Sequence, residues 1–149
     1  MSRRQELLDA VKVEVDKIAS STVVQYPVTL HDARDRYSLP LFMVLYASED
    51  KETAATDGTS NKQSTLELFV VVYVKHETDP LTAVNTQIEN IEKEIEDDVK
   101  LGKVYPVFAR VVRVEMDTLA EEVDESGGMR YGIGTAIIRI NYRHERGLP

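Results

Sequence analysis

The 149-residue chain carries 18 Lys and Arg against 26 Asp and Glu, a formal net charge of −8 with a pI near 4.9. That balance argues against a general nucleic-acid binder, which needs a basic face. The absence of cysteine excludes a disulfide framework, a thiolate metal site and a cysteine nucleophile. Hydrophobic residues at 42% and charged residues at 30% are globular proportions, and the length favours one domain over 1–149. The longest apolar runs, such as Leu41 to Ala47, fall far short of the roughly 20 residues a membrane-spanning helix needs. Met1-Ser2-Arg3-Arg4 leads into a polar, periodic stretch without a signal-peptide core, so the expectation is a soluble protein made in the cytoplasm.

From the N-terminus, Leu7, Leu8, Val11, Val15 and Ile18 fall on one stripe and predict a helix from Arg4 to Ala19. An extended stretch follows, marked by Pro27. Residues 29–38, with His31, Asp32, Arg34, Asp35 and Arg36, read as a loop or ragged hairpin. Leu39 to Ala47 is a dense apolar run of strand length. Residues 48–64 hold no aliphatic side chain larger than alanine and predict a long mobile loop after this first core strand. Loops of that length inside a domain are often functional.

Thr65 to Lys75 is the clearest strand. Leu66, Leu68, Val70, Val72 and Val74 point to one face, and Phe69, Val71 and Tyr73 to the other, which predicts a central strand covered on both sides. Asp79-Pro80 is a helix start, with Asp as N-cap and Pro in the first turn. Leu81, Val84, Ile88, Ile91, Ile95 and Val99 then recur at helical spacing, and Gly102 supplies a stop. Val107 to Glu115 and Ile133 to Arg143 predict two further strands, joined by an acidic and then Gly-rich tip. The fold class expected is α+β: about four strands in a mixed or antiparallel sheet, with two main helices packed on it. The apolar Phe69, Val71 and Tyr73 face then needs cover, from a second copy or from the N-terminal helix.

Charge is polarised by segment. Residues 89–98 hold Glu89, Glu92, Glu94, Glu96, Asp97 and Asp98 against Lys93 alone. Residues 115–125 hold Glu115, Asp117, Glu121, Glu122, Asp124 and Glu125 with no basic residue, whereas Arg130, Arg139, Arg143 and Arg146 lie toward the C-terminus. A solvated helix face and hairpin tip account for each acidic run by itself; a sign-matched assembly of copies accounts for them together.

No set of residues spells out catalysis. The glycines Gly127, Gly128, Gly132 and Gly134 lack the strand–turn–helix context of a phosphate-binding loop and read instead as a tight turn and a strand edge. His31, His76 and His144 are scattered in polar surroundings without metal-ligand spacing. Glu94, Asp97 and Asp98 read as a solvated helix end rather than a cation site. A cleft uniting His31, His76 and Asp32 would instead point to a small enzyme or ligand-binding domain.

As a layout, the chain resembles the tail terminator (tail completion) proteins of long-tailed bacteriophages. The resemblance lies in the amphipathic helix Glu6 to Ala19, the proline-led strand Pro40 to Tyr46, the polar insertion Glu49 to Gln63 and the strand Leu66 to Val74. It continues through the Asp79-Pro80 helix and the closing hairpin Val107 to Tyr142. It implies a non-enzymatic virion protein, without cofactor, that forms a ring, commonly a hexamer, at the head-proximal end of the tail. Such a ring caps the tail tube, stops its growth and offers the head–tail joining surface; a different neck or connector protein of the same fold is the alternative. The implied partners are further copies of the chain, the tail tube protein and the head–tail connector, with DNA passing through an acidic lumen without specific binding. Residues expected to meet partners are Glu49, Asp50, Lys51, Glu52, Asp57 and Lys62 in the insertion, Glu121, Glu122, Asp124 and Glu125 in the acidic tip, and Arg139 and Arg143 on the last strand.

Overall fold

The element order is α1 (Arg3–Asp16), β1 (Thr22–Val24), α2 (Leu30–Arg36), β2 (Leu41–Thr53), β3 (Asn61–His76), α3 (Pro80–Asp97), β4 (Val107–Thr118) and β5 (Arg130–Glu145). This is a computed structural model. It describes residues 2–18, 22–53, 61–119 and 129–145, with side chains at 52, 53, 61, 62, 144 and 145 outside that description.

The helix starts follow their capping residues. The Ser2 hydroxyl accepts the Gln5 amide at 3.1 Å, and Asp79 accepts the Thr82 amide at 3.2 Å with Pro80 opening α3. The expected loop at 29–38 is instead α2. Thr29 caps it by accepting the Asp32 amide at 3.2 Å, and Leu30 and Ala33 are buried. Past α3, Asp98 Oδ1 accepts the Gly102 amide at 3.1 Å, and Gly102 takes the left-handed φ of 69° that glycine adopts most readily.

The five strands form one sheet in the order β1-β2-β3-β5-β4, parallel only between β1 and β2. Among the described residues the fold is thus α+β, with five strands and three helices where about four strands and two main helices were expected. The extra elements are short: β1 has three residues and α2 has seven. β3 is the middle strand, as its two apolar faces predict.

One face is closed by α1 and α3. Leu7, Val11, Val15, Val84, Ile88, Ile91 and Ile95 pack there on Phe42, Val44, Leu66, Leu68, Val70, Val72, Ile138 and Ile140. Leu81, expected in the apolar stripe of α3, is exposed instead. Two glycines set how closely α3 sits. A Cβ on Gly132 would come within 2.6 Å of a Val84 methyl and 3.1 Å of the Pro80 carbonyl oxygen. One on Gly134 would meet the other Val84 methyl at 2.6 Å. Both glycines lie in an interior strand under a helix, so their role is close approach and not the strand edge that the sequence suggested.

The second face is covered in part, and neither by α1 nor by any element foreseen for it. The α2 segment places Ala33, Tyr37, Val28 and Leu39 over Leu41, Met43, Val71 and Tyr73. The Tyr73 hydroxyl donates to the Val28 carbonyl at 3.0 Å, and the Arg34 guanidinium lies 4.8 Å from the Tyr131 ring centre. Beyond this cover the face is open from Phe69 onward.

The expected loop at 49–63 requires a correction. Its flanks are strand: β2 runs to Thr53, β3 starts at Asn61, and the register continues to Thr53↔Lys62. The arms are held by a backbone ladder that needs no apolar side chain. Residues 54–60, which include Asp57, lie outside the described residues, as do 120–128 of the acidic tip.

Candidate functional site

The register of β2 shifts at a bulge between Tyr46 and Ser48. Before it, Phe42 and Val44 face the helices; after it, Glu49 does, opposite Leu66. A carboxylate is thereby carried inward, and its side chain is only 3% exposed. It accepts a hydrogen bond from the Tyr142 hydroxyl at 2.8 Å and one from Arg4 Nε, with Lys51 Nζ at 3.8 Å. Burial pushes the Glu49 carboxyl up, but the bonds from Arg4 and Tyr142 and the charges of Arg4 and Lys51 outweigh it and hold the group below its ordinary range. The Tyr142 phenol is raised by burial and by its bond to Glu49.

The first turn of α1 completes this clamp. Arg3 stacks 3.9 Å from the Tyr105 ring centre and donates to the Arg143 carbonyl. The Tyr105 hydroxyl donates to Glu6 at 3.1 Å, and burial with that bond raises its pKa to about 12. One helix turn therefore ties the base of the β2–β3 hairpin to β5.

The open part of the second face carries a charged row across three strands. Glu67, Arg139 and Arg110 stand side by side in register on β3, β5 and β4. Arg139 gives both Nε and Nη2 to one Glu67 oxygen at 2.9 Å. Arg110, on the outer strand, is exposed and enters no ion pair among the described residues. The next row is Thr65, Asn141 and Phe108, with the Thr65 hydroxyl donating to Asn141 Oδ1 at 3.0 Å. Asp50, Thr65, Glu67, Arg110, Arg139 and Asn141 line a shallow polar groove here, and the Phe108 ring is exposed beside it. Toward the α2 end of the same face, Glu115 and Asp117 are exposed; Arg113 pairs with Glu115 at 2.7 Å.

On the opposite side of the sheet, the outer face of α3 is acidic. With Val84, Ile88, Ile91 and Ile95 buried, the 3.6-residue period turns Glu89 and Glu96 outward, with Glu92 between them half-buried. Lys93 is engaged with Asp97 at 3.9 Å.

The residues singled out from sequence divide accordingly. Asp50, Arg139 and Arg143 share the open face. Glu49 is inside, so it serves the hairpin base and not an exposed loop, and Lys51 is its half-exposed neighbour. Glu52 and Lys62 are in register-paired strand, their side chains outside the described residues; Asp57, Glu121, Glu122, Asp124 and Glu125 lie outside them altogether. The histidines have local contacts: His31 pairs with Asp35 at 3.2 Å, and His76 Nδ1 accepts the Asp79 amide at 2.8 Å. Among the described residues no group of three or more His, Asp or Glu is placed to hold a metal ion.

Sequence reading missed Arg110 and Glu67, because facing across strands is set by register and not by spacing along the chain. It also missed Glu14, 3% exposed at the end of α1. The Glu14 carboxyl is raised by burial and by sharing a proton with Asp98, against the pull of Lys17 at 3.0 Å.

No protein-family model matches the chain, and no curated protein matches it. Among solved structures, the chain is similar to one from the virion of a native gene transfer agent particle. The identity is 12%, the TM-score is 0.47, and the match covers 93% of this chain and 95% of that chain.

Proposed function

We propose that the chain is a structural virion protein that assembles as a ring on the tail tube, ends tube growth and presents the head–tail joining surface. The observation that carries this reading is the unequal cover of the sheet. One face is closed by two helices, whereas the other is left open over its far half, with exposed Phe69 and Phe108 beside a row of charges. An exposed mixed surface of that kind suits packing against another subunit. The far ends of β2 and β3, anchored by Glu49 and flanked by β5, are suited to a second partner. The order of the main elements, which resembles the layout of tail terminators, supports the same reading.

The test is tube assembly. Tail tube protein is polymerised with and without the purified chain, and tube lengths are measured in electron micrographs. Short tubes with added density at one end are the expected result. Tubes of unchanged length with bare ends would reject the reading, and density on portal or neck complexes instead would assign the chain to the connector.

A further inference from the structure

The geometry points to a head-to-tail contact between copies, in which the Arg110 side of the open sheet face receives the Glu89–Glu92–Glu96 stripe of α3 from a second copy. This rests on the ring-forming reading and names its interface.

Arg110 and Arg139 are direct cross-strand neighbours. Like charges in that position destabilise a sheet pair. Glu67 neutralises Arg139 from the other flank, which leaves the outer guanidinium of Arg110 as the unmatched charge of the row. A carboxylate from outside, taken as a charge-assisted, two-pronged bond, matches it. The exposed carboxylates of α3 are suited to supply one. Glu89, Glu92 and Glu96 follow one stripe over about 10 Å of helix. Arg143, on the same strand face as the paired Arg139 and about 13 Å along it, adds a further cation, with Asp50 across the groove on β2.

The two patches cannot satisfy each other within one copy. α3 packs on the closed face through Val84, Ile88, Ile91 and Ile95, while the arginines stand on the open one. Their contact is therefore between copies and heterologous, the kind that builds a ring when its rotation closes. At the other end of the open face Glu115 is already matched by Arg113, and the exposed Asp117 repels an acidic helix and so directs it toward the Arg110 end. Phe108 offers the apolar contact next to the charges.

The test uses the full chain and two charge reversals: Arg110→Glu at an exposed position, and the triple variant Glu89→Lys, Glu92→Lys, Glu96→Lys, in which Glu92 is half-buried and the other two exposed. Sedimentation velocity at low and high salt measures self-association, and circular dichroism with thermal melting confirms folding. Should a reversal fail to fold, Arg110→Ser or the three Glu→Gln changes replace it. The wild type is expected to self-associate at low salt and to weaken as salt rises. Each variant alone should weaken association about tenfold or more, and a one-to-one mixture of the two variants should recover to within about threefold of wild type, because each then carries the surface the other needs. A wild type that stays monomeric, variants that associate like wild type, or a mixture that recovers nothing would each overturn the contact. Tube capping read in parallel separates the two ideas: capping that survives both reversals removes this interface and leaves the ring reading standing, whereas salt-sensitive, reversal-sensitive association without capping removes the ring reading.

Discussion

Glu49 shows how one residue's environment decides its chemistry. The bulge at Tyr46/Ser48 turns a strand of expected surface residues so that this carboxylate faces the core, and Arg4 with Tyr142 makes the burial tolerable. Because its folded pKa lies below the ordinary 4.5, its contribution is complete above that value and is lost as pH falls through the lower, folded one. Denaturant midpoints taken from pH 7 to pH 3 should show a loss that Glu49→Gln flattens; Glu49→Ala should cost about 2 kcal/mol at pH 7 by removing the acceptor shared by the Tyr142 hydroxyl and Arg4. Glu14 has the opposite sign. Its folded pKa is above 4.5, so the cost of ionising it is relieved as pH drops through the folded value toward 4.5. Glu14→Gln keeps a donor for Asp98, and the same titration should show that relief gone, with stability at pH 7 changed by no more than about 1 kcal/mol.

At the scale of elements, the regular hydrophobic patterns were legible and the polar ones were not. β3 and α3 announce themselves because burial imposes period 2 on one and period 3.6 on the other. α2 was hidden by its charges, although Thr29 followed by Asp32 is a helix-start spacing that could have shown it. The strand arms at 49–53 and 61–63 were illegible for a different reason: a hairpin ladder is held by backbone groups, which leave no mark on composition. This changes what a deletion does. Replacing 54–60 with a two-residue turn should leave the melting temperature nearly unchanged, since closure depends weakly on loop length. Removing 49–63 should lower it clearly, since Glu49 and the ladder go with it. Gly134→Ala tests the α3 contact: forcing a methyl against Val84 should cost about 1–3 kcal/mol, measured by chemical denaturation.

For the whole molecule, net charge conceals a separation. A chain of −8 carries its acidic helix on one side of the sheet and a row of arginines on the other. The acidic run of α3 and the presence of Arg139 and Arg143 could be read along the chain. Their placement on opposite faces could not, because it depends on which side of the sheet α3 crosses and on a register that brings Arg110 beside Arg139. Composition therefore described the charge, and topology gave it direction.

The order of strands also sets a timetable for making the protein. The middle strand finds its first neighbour within a local hairpin, but its second neighbour is remote: Glu67 and Arg139 are 72 positions apart. On the ribosome the greasy edge of β3 consequently waits, unpaired, while α3 and β4 are still being synthesised. Slower translation lengthens that exposure, so yield of native protein in a cell should rise with chaperone capacity.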